Sequence, residues 1–168
     1  MIFKGRLQLL LSTGSPERFV WSYQKNDREK MLIRNVMTSP PVCVRPDTLV
    51  RDVAVLMKKH DIGAVPIVSE SGVVGILTDR DLVLRLLTQT GGLSEVPASQ
   101  AMSTGLITCF ADQDVSEAAA IMGDNQVRRL PVLDRSGELL GVLSVGDIAE
   151  NASEELAGQA LGEIIEDR

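Results

Sequence analysis

Two short patterns in this chain have the residue types and spacing for ligand chemistry: Thr78-x-x-Asp81 and Ser144-x-x-Asp147. Each directly follows an apolar run, Gly75-Ile76-Leu77 or Gly141-Val142-Leu143, and each opens a helical segment. A helix start offers free N–H donors and partial positive charge, which suits phosphate. A hydroxyl on its first turn adds a phosphate or sugar contact. An aspartate one turn on accepts only, so it can take both hydroxyls of a ribose. The same pattern also reads as a plain helix cap. Its recurrence at equivalent places is what favours binding. Arg128 and Arg129 stand before Leu130-Pro131, and Arg80 lies inside the first helix start. Adjacent strand residues point to opposite faces, so one arginine of the pair can enter a cleft and hold phosphate. The other reading is a solvated surface pair. Gly63 and Ala64 occupy the same places earlier in the chain, so an anion clamp here is one-sided. His60, the single histidine, closes the run Lys58-Lys59-His60-Asp61. A cation at a helix C-terminus favours capping there, with a phosphate contact as the alternative.

These patterns belong to an internal repeat. Met37-Thr38 answers Met102-Ser103, Val53-Ala54 answers Ala118-Ala119, and Val65-Pro66-Ile67-Val68 answers Leu130-Pro131-Val132-Leu133, always 65 residues apart. One extra residue in the second hairpin then moves the separation to 66, which aligns Thr78 with Ser144 and Asp81 with Asp147. Two copies of such a unit predict a pseudo-twofold pair with a cleft between them.

Each copy reads β-α-β-β-α, an α+β class. Val42-Cys43-Val44 and Leu106-Ile107-Thr108-Cys109 are β-rich runs. A helical stripe follows at Val50, Val53, Ala54, Met57 and again at Val115, Ala118, Ala119, Met122. Asp114 with Glu117 forms a capping-box pattern, and Thr48 is the matching cap of the first copy. The proline runs pair as hairpins through Ser71-Gly72 and Ser136-Gly137. A proline inside each strand predicts an edge position or a broken ladder, with backbone groups left for a flat polar ligand. The closing helix of the first copy spans Asp79 to Gln89 with Leu82, Leu86 and Val83 inward, and Asp147 begins that of the second. The chain thus divides into a tail 1–30, a first copy 31–90, a second copy 98–150 and a C-terminal helical tail 151–168. That tail has Ser153 as its cap and Leu156, Ala160, Leu161 and Ile164 on one stripe.

The totals exclude several classes. An apolar content of 44% over 168 residues supports a real core. A net charge of −6 argues against a general nucleic-acid or anionic-membrane surface. Apolar runs are too short to span a membrane or act as a signal peptide. Cys43 and Cys109 form no CxxC and read as small buried core residues in a reducing, cytoplasmic protein. Four of the five aromatic residues lie in the tail, as Phe3, Phe19, Trp21 and Tyr23. The tail reads as a docking arm, a disordered segment or a non-native leader, with Met31 as a second candidate start. There is no phosphate loop, zinc motif or nucleophile elbow, so catalysis is not expected, and no metal or catalytic cofactor with it.

The copies resemble CBS domains, the family named after cystathionine β-synthase. The resemblance rests on Val36-Met37-Thr38, Asp61-Ile62-Gly63-Ala64-Val65-Pro66-Ile67-Val68 and Gly75-Ile76-Leu77-Thr78-Asp79-Arg80-Asp81. Ala101-Met102-Ser103, Gln126-Val127-Arg128-Arg129-Leu130-Pro131-Val132 and Gly141-Val142-Leu143-Ser144-Val145-Gly146-Asp147 repeat it. It covers about residues 34 to 150. It implies a Bateman module: two units about a pseudo-twofold axis, with clefts for AMP, ADP, ATP, S-adenosylmethionine or NAD, and a disc-shaped homodimer. It further implies that Asp81 and Asp147 hold ribose hydroxyls, Thr78 and Ser144 touch ribose or phosphate, and backbone at Val65, Pro66, Ile67 and Leu130, Pro131, Val132 reads adenine. Val145-Gly146 replaces Asp79-Arg80, so the clefts are expected to differ in affinity. With no other domain in the sequence, the expectation is a stand-alone adenine-nucleotide sensor acting on an effector protein in trans. The alternative is a ligand-independent dimerisation scaffold with vestigial clefts.

Overall fold

The computed structural model describes residues 30–86 and 95–166. The 1–29 part of the tail, the run 87–94, which takes in the end of the closing helix expected to reach Gln89, and residues 167–168 lie outside those residues. Apolar stripes at helical spacing produce α1 (Val50–His60) and α4 (Val115–Asp124); the α4 stripe is buried whole, while in α1 Val50, Val53 and Met57 are buried and Ala54, contrary to expectation, is exposed. The proline runs become β1 (Ala64–Ser69) and β4 (Arg129–Leu133). Their hairpin partners are β2 (Gly72–Thr78) and β5 (Leu139–Ser144). Gly72 and Gly137 turn both hairpins at φ 103° and 92°, conformations that glycine adopts without a Cβ penalty. Both hairpins carry an irregularity at the same place, Ile67/Val68 and Val132/Leu133. Both units also put one non-glycine residue in the left-handed region, Asp61 at φ 53° and Gln126 at φ 54°. The duplication therefore extends to backbone detail.

The first strand of each unit is shorter than its sequence suggests. In the second copy it is β3 (Cys109–Phe110), parallel to β4. In the first it shrinks to one parallel bridge, Val44 with Ile67. The second proline strand is not at the edge: that sheet runs β3-β4-β5 with β4 in the middle, whereas β1 pairs with β2 alone apart from the Val44 bridge. Pro131 faces Val142, whose N–H and C=O are both bonded to Thr38 at 3.1 and 2.9 Å. A donor missing from Pro131 therefore breaks no bond between β4 and β5.

That bond to Thr38 reveals how the units join. The lead-in before each copy pairs with the other unit. Thr38 bridges Val142 of β5, and Ser103 bridges Ile76 of β2. Leu32 bridges Asp114, and Pro97 bridges Leu49. Val115 N–H donates to Met31 at 2.9 Å, and Val50 N–H donates to Val96 at 2.9 Å. Each contact has its twin under exchange of the copies, which is the signature of a pseudo-twofold pair. The cores follow the same exchange. Ile33 and Val36 are buried with the second unit, while Ala98 and Ala101 of the short helix α3 (Ala98–Ala101) are buried with the first.

The glycines at the crossover explain how the backbones come so close. An alanine Cβ at Gly75 would sit 2.5 Å from Met102 Sδ, and one at Gly141 would sit 2.7 Å from the Thr38 carbonyl. The closing helices differ in form. In the first unit, α2 (Asp79–Asp81) runs into a wide π-type turn over Leu82–Leu86, with Val83 exposed rather than inward. In the second, α5 (Val145–Asn151) is followed by α6 (Glu154–Glu166). Ser153 caps α6 through the Leu156 N–H at 3.2 Å. α6 buries Ala157, Ala160 and Ile164, whereas Leu161 remains 37% exposed. The α4 cap is Asp114 with Glu117, but Leu49 rather than Thr48 holds the corresponding place in α1 and makes no side-chain cap bond. Cys109 is buried, and Cys43, contrary to the sequence reading, is exposed.

Candidate functional site

Where β2 and β5 end, extended backbone turns into helix and leaves N–H groups without partners. Thr78 and Ser144 answer this by the same capping box. Thr78 Oγ1 donates to Asp81 Oδ2 at 2.6 Å, Thr78 N–H donates to that same oxygen at 3.0 Å, and Asp81 N–H donates to Thr78 Oγ1 at 3.1 Å. Ser144 and Asp147 repeat the set at 2.6, 2.7 and 3.1 Å. Each hydroxyl is thus engaged twice inside its own box. The capping role is realised in full, and it leaves one oxygen of each aspartate, Oδ1, directed elsewhere.

The two Oδ1 atoms have different surroundings. Asp147 Oδ1 accepts from the Thr38 hydroxyl, across the crossover, at 3.3 Å. It sits on a cleft of about 240 Å³ between the units. One wall is the crossing segment Thr38, Pro40, Pro41 and Val42. Another is the end of α1 and start of β1, from Asp61 to Ala64. The floor is Val142, Ser144, Asp147 and Arg129. Arg129 faces this cleft and Arg128 is exposed on the surface, as opposite faces of a strand require. Gly63 lies close against Arg129: a Cβ there would sit 2.8 Å from Nη2, the far end of a flexible side chain. Asp81 Oδ1 instead meets Arg85 Nε at 3.2 Å.

The remaining expected residues fall outside the cleft. Val65, Ile67, Leu130 and Val132 are fully buried in the two cores, and Pro66 and Pro131 are buried with them. The Pro66 carbonyl is already taken by the Val44 N–H at 3.1 Å. Arg80 is exposed. The helices α2 and α5 are too short, at 3 and 7 residues, to supply a strong dipole for phosphate. Sequence reasoning missed Thr38, Pro40, Pro41, Val42, Asp61 and Ile62. A signal for them existed: Pro40-Pro41 replaces Gly105-Leu106 of the other copy, a departure from the repeat. A wider hollow of about 440 Å³ lies between the Arg45–Asp47 and Ser69–Ser71 turns and contains neither aspartate. Among the described residues, no group of three or more His, Cys, Asp or Glu is placed to hold a metal ion, and no helix is long and apolar enough to cross a membrane.

Duplicated α+β units that exchange their lead-ins around a shared cleft define a CBS domain pair. The chain belongs to that family: the CBS domain model matches residues 33–88 and 94–154. It is similar to the CBS domain-containing protein YhcV of Bacillus subtilis, with 38% identity over 133 residues, 79% of this chain and 94% of that one. Among solved structures it resembles the CBS domain pair of protein MJ0100 in complex with 5′-methylthioadenosine and S-adenosyl-L-methionine. There the TM-score is 0.64 at 26% identity, over 71% of this chain and 97% of that one. It also resembles Hypoxic Response Protein I with two coordinated zinc ions, with a TM-score of 0.65 at 30% identity, over 72% and 98% of the two chains.

Proposed function

We propose that this CBS pair is a non-catalytic regulatory module that binds an adenosine-containing ligand in the cleft of the second copy. The observation that carries the reading is the free side of Asp147. Its Oδ1 faces the cleft and holds only a long bond from Thr38, which a ribose hydroxyl can replace. Its other oxygen is fixed by Ser144, so the carboxylate is already oriented before ligand arrives. Val42, Ile62, Ala64 and Val142 offer apolar walls for a purine, and Arg129 offers a guanidinium for phosphate. The MJ0100 pair, with its adenosyl ligands, supports the same ligand class.

The response follows from where the cleft lies. Ligand bridges the crossing segment to β5 and changes the angle between units, provided it binds the two shapes unequally. A cytoplasmic effector in trans reads that change from a homodimer of the module. Calorimetry with AMP, ATP and S-adenosylmethionine tests the binding step. Asp147→Asn keeps the shape of the cap and loses one acceptor charge. It is expected to weaken binding about tenfold or more, roughly 1.4 kcal/mol, with little change in melting temperature. Equal affinity in wild type and variant would remove Asp147 from the ribose role.

A further inference from the structure

We propose that Arg85 is a built-in occupant of the first cleft, so that the chain takes one adenosyl ligand where its duplicated design offers two places. The inference rests on the reading above for the second cleft. Its own basis is a break in the symmetry of the pair.

In the second unit the hydroxyl of the crossing segment, Thr38, bonds Asp147 directly. Ser103 is its twin in the first unit, and between Ser103 and Asp81 stands a guanidinium. Arg85 Nε meets Asp81 Oδ1 at 3.2 Å, and Arg85 Nη2 donates to Ser103 Oγ at 2.9 Å. Arg85 Nη1 donates to the Met102 carbonyl at 2.8 Å and the Ala101 carbonyl at 3.1 Å. Both oxygens of Asp81 are therefore committed, one to Thr78 and one to Arg85. A ribose diol needs one of them free. The repeat puts Asn151 at the place of Arg85, a side chain too short to make the same span.

The guanidinium also does what a ligand would do. It ties the crossing segment of one copy to the aspartate of the other, through three hydrogen bonds on one side and an ion pair on the other. The first half of the pair is thereby held closed from within, and only the second half remains to respond. The Arg85 side chain is 44% exposed and sits at the rim, so its removal opens the cleft rather than the core.

The test is stoichiometry. AMP and S-adenosylmethionine are titrated separately by calorimetry and native mass spectrometry into the full chain and into Arg85→Ala and Arg85→Gln. Thermal melts report folding. The expected result is one equivalent per chain in wild type and two in either variant. In Arg85→Ala/Asp147→Asn the tighter wild-type event is weakened and the new event remains. Two equivalents in wild type, or one or none in both folded variants of a wild type that binds one, overturns the role of Arg85 and leaves the second cleft standing. No binding in wild type but one equivalent in the variants supports Arg85 and removes the second cleft. No binding in any of them overturns both.

Discussion

Gly141→Ala puts a methyl group at the tightest part of the crossover. The new Cβ would lie 2.7 Å from the Thr38 carbonyl oxygen and 2.8 Å from Met37 Sδ. The methionine can swing away, since its side chain is flexible. The carbonyl cannot, because Thr38 is held to Val142 by two backbone bonds of 2.9 and 3.1 Å. Relief of the clash requires β5 and the crossing segment to part by about 0.5 Å or more. Overpacking of this kind costs about 1–3 kcal/mol, and weakening both bonds adds about 1 kcal/mol. The sum is about 2–4 kcal/mol, or a fall of roughly 5–15 °C in Tm for a chain of this size. Urea unfolding followed by far-UV circular dichroism reads it directly, with an unchanged m-value as the sign that only stability moved. Gly105→Ala is the control, since a Cβ there meets nothing within 4 Å, and its effect is expected within about 0.5 kcal/mol. If Gly141→Ala also falls within about 0.5 kcal/mol, the exchange of lead-ins is not what holds the units together.

Ile164→Ala, at a fully buried position on α6, is expected to destabilise by about 2–5 kcal/mol in the same assay, as a core residue does and a peripheral tail residue does not. Burial pushes the Cys109 thiol up to about 12 while Cys43 is exposed. Iodoacetamide at mildly alkaline pH is therefore expected to add once to the folded chain and twice in urea, read by intact mass. Asp134 at the second hairpin turn accepts from the Ser136 hydroxyl and from the Ser136 and Glu138 N–H groups, and these hold its carboxyl below the usual range. Its support of the turn is present above the unfolded value of about 3.9 and is lost as pH falls through the lower folded value. Ser136→Ala is expected to raise that folded value in a carboxyl NMR titration, and an unchanged titration would discard the hydroxyl as its main cause.

Much of the fold was legible because it was written twice. A stripe such as Val115, Ala118, Ala119 and Met122 fixes which face of a helix must be covered, and the buried set agrees. Asp114 with Glu117 marks a helix start through groups three residues apart, and the capping box forms. The paired boxes at Thr78–Asp81 and Ser144–Asp147 are local for the same reason. Other positions were decided by neighbours that no local pattern names. Thr48 is not the cap: its carbonyl accepts from the Ala98 N–H of the other lead-in at 2.7 Å, and the helix begins after Leu49. Leu161 faces water because Ala157, Ala160 and Ile164 already meet α4 and α5.

By itself the sequence determined two like units, their order of helices and strands, and the acidic caps at two strand ends, since all of these depend on residues within a few turns of each other. Tertiary structure alone decided that residues 31–38 and 96–103 cross over to the opposite unit, that Arg129 lines the cleft beside Asp147, and that Arg85 stands between Asp81 and Ser103. Hydrophobic periodicity states that a surface must be buried but not which surface buries it. Contacts between residues 27 to 109 positions apart, from Ile76 with Ser103 to Thr38 with Asp147, carry no periodic trace at all.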